Sequence, residues 1–131
     1  MSNAPTILMG LVPLIRATVD SATDATATTV TADDSGSLFI DTSTSAHTYT
    51  LPAVALGKGK VFMFVKRGTA NMIIASAGSL DNIVAFNDAA ADSVAFSTTN
   101  EKIGGAMMIV GDGTYWYAFN MSAGANTVTV A

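Results

Sequence analysis

The chain has 131 residues, half of them hydrophobic and 12% charged, with a net charge of −4 and no cysteine. These values exclude a disordered acidic tail, a disulfide scaffold and a thiolate metal site, and the length suits one domain burying roughly two-thirds of the surface exposed on unfolding. So low a charge density also suggests that some surface is buried against other chains.

Residues 1–20 read as an N-terminal arm. The apolar run from Ile7 to Ile15, ILMGLVPLI, is nine residues long and is interrupted by Gly10 and Pro13. A membrane-spanning helix needs about 20 apolar residues, so no membrane partner is expected. A secretory signal is disfavoured too, because no Lys or Arg precedes the run. Too short for a core of its own, the segment docks either on the body or on a neighbouring subunit. Its interface candidates are Ile7, Leu8, Met9, Leu11, Val12, Leu14, Ile15 and Arg16.

Residues 21–131 read as a β body. Thr26, Thr28 and Val30 alternate with Ala27, Thr29 and Thr31, which predicts a strand at about 25–31, because β-branched side chains fit a pleated surface. Asp33–Gly36 (DDSG) is a turn by side-chain chemistry, followed by the short strand SLFID at Ser37–Asp41. In HTYTLP, His47, Tyr49 and Leu51 share one face until Pro52 ends the ladder. KVFMFVKR, at Lys60–Arg67, is the strongest strand. Its unbroken apolar middle, Val61–Val65, indicates burial on both faces or an interface on one.

Further strands follow at MIIAS, within the irregular stretch Leu80–Phe86, at DSVAFST and at AMMIV. GDG then makes a reversal into TYWYAF, and TVTV supplies a closing strand. Eight to ten short strands with turn signals about every ten residues predict an all-β fold, an antiparallel β-sandwich or jelly-roll-like single domain. A propeller or solenoid is disfavoured, since no repeat of fixed period is present.

Chemistry is sparse. His47 is the sole histidine and no G-x-S-x-G elbow accompanies it, so a structural role is the stronger reading over a Ser/His/Asp triad. One His without Cys cannot build a usual zinc set. Asp33, Asp34, Asp88 and Asp92 lack the ligand spacing of a calcium loop, and GKGK lacks the spacing of a phosphate loop. The six basic residues, Arg16, Lys58, Lys60, Lys66, Arg67 and Lys102, are too scattered for a groove along a nucleic-acid backbone. No cofactor, metal or nucleic acid is therefore expected. The aromatics of TYWYAF divide by alternation, with Trp116 and Ala118 on one face and Tyr115, Tyr117 and Phe119 on the other. Trp116 is expected in the core, with Tyr115, Tyr117 or Phe119 covering a second sheet surface or a capsid or subunit contact, since aromatic residues are favoured at interfaces.

Three blocks, DDSGSLFIDTSTSAHTYTLP, GKGKVFMFV and GDGTYWYAF, resemble a small β-domain recurrent in tailed-bacteriophage virion proteins. The resemblance covers about residues 33–120, roughly two-thirds of the chain. Gly36, Phe39, Leu51, Pro52, Gly57, Phe62, Gly113 and Trp116 match its structural positions. It implies a non-catalytic head decoration (cement) protein that binds the major capsid protein on the outer capsid surface, commonly as a homotrimer. The alternative it implies is a tail-fibre or tail-spike module binding a host receptor or glycan. The short apolar arm, in place of a long repetitive shaft, favours decoration.

Overall fold

The computed structural model describes residues 15–20, 26–122, 124 and 126–131. Among these residues the chain is mostly strand, and its twelve strands form two mixed sheets. They are β1 (Ala17–Asp20), β2 (Ala27–Thr29), β3 (Ser37–Asp41), β4 (His47–Thr50), β5 (Val61–Lys66) and β6 (Met72–Ala75). β7 (Ile83–Ala85), β8 (Asp88–Ala91), β9 (Ser93–Phe96), β10 (Ala106–Gly111), β11 (Trp116–Asn120) and β12 (Thr129–Val130) complete the set. One sheet has seven strands in the order β1-β3-β5-β10-β11-β7-β8, and the other has five in the order β12-β9-β6-β4-β2. The all-β expectation holds.

The antiparallel expectation does not. Five of the ten strand pairings are parallel: β1 with β3, β3 with β5, β2 with β4, β4 with β6, and β11 with β7. The polar turns were expected to reverse the chain within one sheet. Several instead carry it across to the other layer, so odd strands β1, β3 and β5 stack in one sheet and even strands β2, β4 and β6 in the other. A jelly roll's antiparallel Greek-key connectivity is therefore not followed. Period-2 alternation is identical in parallel and antiparallel strands, so the pattern could not separate them. Stacked partners are 20 residues apart from Thr18 to Leu38 and 25 apart from Leu38 to Met63, an unequal spacing that leaves no repeat to detect.

Two other expectations change. Ala17–Asp20, assigned to the arm, is the edge strand of the larger sheet and pairs in register with Ser37–Ile40. The remainder of the expected arm, residues 1–14, lies outside the described residues. β8 was not expected, because DAAA is poor in β-branched residues. It forms by returning from β7 through Phe86 and Asn87, whose positive φ values of 48° and 71° suit the tight hairpin turn.

One apolar cluster fills the space between the sheets. Phe39, Phe62, Phe64, Ile83, Met107, Ile109 and Trp116 come from the larger sheet, and Tyr49, Met72, Ile74, Val94 and Phe96 from the smaller. Phe39 and Phe64 stack with ring centroids 5.1 Å apart, and Tyr49 reaches across to both at 5.5 and 5.0 Å. Such aromatic pairs add about 0.5–1.5 kcal/mol beyond the area they bury.

Candidate assembly face

Each central strand of the larger sheet turns every second side chain into the core, which leaves the alternate set on the outer face. That outer set is apolar. Leu38, Met63, Met108 and Phe119 form one row across β3, β5, β10 and β11 by register. Val61, Val110, Tyr117 and Val84 form a second across β5, β10, β11 and β7, and Ile40, Val65 and Ala106 a third. Phe119 is 49% exposed, and the other large members of these rows are partly exposed. Across β3, β5, β10, β11 and β7 the three rows carry no charged side chain, while at the β1 edge the Arg16 guanidinium lies over Gly36, beside Val61. The smaller sheet's outer face differs: Thr48, Thr50, Ile73, Ala75, Ser93 and Ala95 cover its centre with mostly small or hydroxyl groups.

The GDGTYWYAFN stretch supplies one side of this face. Trp116 is fully buried and packs on Phe62 at 5.8 Å. Gly57 and Gly111 lie against its indole. A Cβ on Gly57 would collide with Trp116 Cη2 and one on Gly111 would lie 2.6 Å from Trp116 Cζ3, so only glycine leaves room. Tyr115 is 40% exposed, just before β11, while Tyr117 and Phe119 stand on the outer face. Asp112 organises the reversal by accepting hydrogen bonds from the Thr114 N–H (2.8 Å), the Tyr115 N–H (2.7 Å) and the Tyr117 hydroxyl (2.7 Å). The Tyr115 N–H, then the Tyr117 hydroxyl and Thr114 N–H, hold its carboxyl below the usual range. The same bond to Asp112 pushes the Tyr117 phenol up. With three donors already aimed at it, this carboxylate is committed to the turn.

Arg16 anchors the start of the described chain. Its N–H donates to Gly36 O at 2.7 Å, extending the β1–β3 ladder, and its guanidinium donates to Ser35 O. Gly36 has φ +87°, and a Cβ there would lie 2.7 Å from the Arg16 Nε. Its glycine is thus required twice, by backbone angle and by space. Ile15, beside it, is 42% exposed. The other arm candidates, Ile7, Leu8, Met9, Leu11, Val12 and Leu14, lie outside the described residues. Of the interface candidates, the structure gathers Tyr117 and Phe119 onto one face. Tyr115 sits at the adjoining turn, and Ile15 and Arg16 stand at the opposite edge.

Other reactive side chains serve the interior. His47 is buried, with Nε2 2.6 Å from Thr28 Oγ1 and its ring 4.7 Å from Tyr49. Lys66, one of the six scattered basic residues, is fully buried beside Asp41, at 3.2 Å. Asp41 Oδ1 also accepts from the Ser43 N–H (3.0 Å) and hydroxyl (2.5 Å), and the Lys66 ammonium donates to Ser43 O at 3.3 Å. Among the acidic loops, Asp92 accepts from the Asp81 N–H at 3.1 Å, and a side-chain hydrogen bond to Asp92, then the Asp92 charge, pushes the Asp81 carboxyl up. A surface depression of about 320 Å³ is lined by Thr69, Thr99, Asn100, Lys102 and Ile103. Its ammonium group, on Lys102, donates to Thr69 O at 3.2 Å.

Of the outer face, sequence reasoning flagged Tyr117, Phe119 and the run Val61–Val65 but not Leu38, Ile40, Met108 or Val110. The available signal was the unbroken apolar runs of β5 and β10, which left two-sided burial and an interface equally open. Compared with protein families, curated proteins and solved structures, the chain finds no match in any of the three.

Proposed function

We propose that this chain is a non-catalytic assembly module of a tailed-bacteriophage virion, a head decoration protein bound to the major capsid protein on the outer capsid surface. In this reading the two sheets act as a β-sandwich body and the working unit is a homotrimer. The observation that carries it is the apolar outer face that β3, β5, β10, β11 and β7 form in the seven-stranded sheet. A contiguous apolar surface in water is unfavourable to leave exposed, and such patches mark interaction sites. A trimer that touches several capsid subunits at once gains avidity without needing tight individual contacts. The sequence blocks similar to phage virion domains point the same way. Their matching positions do structural work here: Phe39, Leu51, Phe62 and Trp116 are buried, and Gly36 and Gly57 relieve close contacts.

The test is co-sedimentation of the purified chain with empty capsids of the phage that carries it. The chain pellets with capsids, and Met108→Lys leaves it in the supernatant. A chain that stays soluble beside intact capsids, under conditions where it is folded and trimeric, removes the decoration role. The rival tail-fibre reading draws on exposed Tyr115 and Phe119, which have the apolar faces a sugar ring stacks on. Tyr115→Ala with a glycan-binding assay addresses it, whereas Trp116 is buried and would report only on folding.

A further inference from the structure

We infer that Lys66 and Asp41 condense within the folded chain to an isopeptide bond, Lys66 Nζ to Asp41 Cγ, that joins β3 to β5 covalently. The inference stands on the interior of the fold and uses neither the outer face nor capsid binding. Placement argues first. Asp41 and Lys66 are register partners on parallel neighbours, and just beyond them the Arg67 N–H donates to Asp41 O at 3.0 Å. On the other side of β5 the Lys66 N–H donates to Gly105 O at 2.8 Å. Both side chains are fully buried, with Nζ 3.2 Å from Oδ1. Two reactants fixed in contact need no encounter, which removes much of the entropic barrier to joining them.

Chemistry argues second. A buried ion pair keeps the desolvation cost of two charges, whereas an amide carries none. The ion pair is the state before condensation. One proton passes from the ammonium to the carboxylate along their hydrogen bond, giving an amine and an acid protonated on Oδ2. The amine lone pair attacks Cγ and the C=O π pair moves onto Oδ1. Ser43 already donates its N–H (3.0 Å) and hydroxyl (2.5 Å) to that oxygen, so the developing oxyanion meets two fixed donors. The C=O then re-forms and the Cγ–Oδ2 bond breaks. Oδ2, with the acid proton and one proton from the attacking nitrogen, leaves as water. No hydrogen bond holds Oδ2 back, since it has no partner among the described residues.

The surroundings argue third. Beside the pair lies a surface depression of about 270 Å³ lined by Thr42, Arg67 and Gly68. Gly68 is the thin wall between the two: a Cβ there would lie 3.2 Å from Ser43 O and 3.7 Å from Lys66 Nζ. The released water departs on that side. The chain has no cysteine, so no disulfide ties its strands. The amide closes the chain between β3 and β5 in its place, with the same restriction of the unfolded state.

Mass spectrometry of the purified full chain is the test. The expected intact mass lies one water below that of the sequence, with or without Met1, and a protease digest yields a branched peptide joining the Asp41 and Lys66 segments. Lys66→Arg keeps the charge and removes the nucleophile, so that variant is expected at full mass. A folded wild-type chain at full mass overturns the inference. A water loss that the digest places elsewhere overturns it too, notably a succinimide at Asp112–Gly113, as does a loss that persists in Lys66→Arg. The wild-type digest locates the bond without any variant, so a Lys66→Arg chain that fails to fold leaves the test decisive.

Discussion

At the residue scale, Asp112 shows how one side chain turns a glycine-rich reversal into a fixed corner. Three donors converge on it, from Thr114, Tyr115 and Tyr117. Its carboxyl is held below the unfolded value of about 3.9, so the stability it contributes is present above that pH and is lost as pH falls through the folded value. Asn at this position keeps an acceptor but no charge. The melting temperature of Asp112→Asn should therefore lie below wild type at pH 7, with the gap closing as pH falls below about 4. Thermal scans of both proteins from pH 7 to pH 2.5 check this, and a gap independent of pH would remove the charge from the account. A turn at GDG is legible in its residues, but nothing in them announces that Tyr117, five residues beyond Asp112, closes the corner from the outer face.

At the element scale, the parallel neighbours β3 and β5 are tied by a charge pair at their ends. Asp41 and Lys66 are cross-strand partners in register and both are fully buried. Removing one partner strands the other charge in the interior, so Lys66→Met should cost about 3–5 kcal/mol. Asp41→Asn combined with Lys66→Met should recover part of that loss, because Asn leaves no charge and its oxygen still accepts from Ser43. Chemical denaturation of the single and double variants measures both. Equal destabilisation would mean that the cost lies in packing around the lysine stem. Alternation places Lys66 and Arg67 on opposite faces of a strand, but only the partner strand shows that the inward one meets a carboxylate.

At the scale of the whole molecule, the two outer faces are unequal. The larger sheet presents Leu38, Met63, Met108 and Phe119 in one row, and the smaller presents threonine, serine and alanine around a single Ile73. In the proposed assembly, this asymmetry places the contact on the larger sheet's side. Sedimentation equilibrium should give three times the chain mass for the wild type and the single chain mass for Met108→Lys, because a lysine in the centre of the face would be buried without a partner. Circular dichroism of the variant should stay that of a folded β protein, since Met108 points away from the core.

What the residues determined on their own is the inward half of every well-patterned strand. Phe39, Tyr49, Phe62, Phe64 and Trp116 sit at alternate positions, and burying them was the only way to remove that much apolar surface from water. The outward half was decided by the tertiary structure. Whether Val61, Met63 and Val65 face a second layer, a partner or solvent depends on what lies beyond them in space, and β5 looks the same in sequence in all three cases. Strand direction was also settled only there. Side chains alternate identically in parallel and antiparallel pairs, whereas the choice between them rests on which layer each connecting turn delivers the chain to.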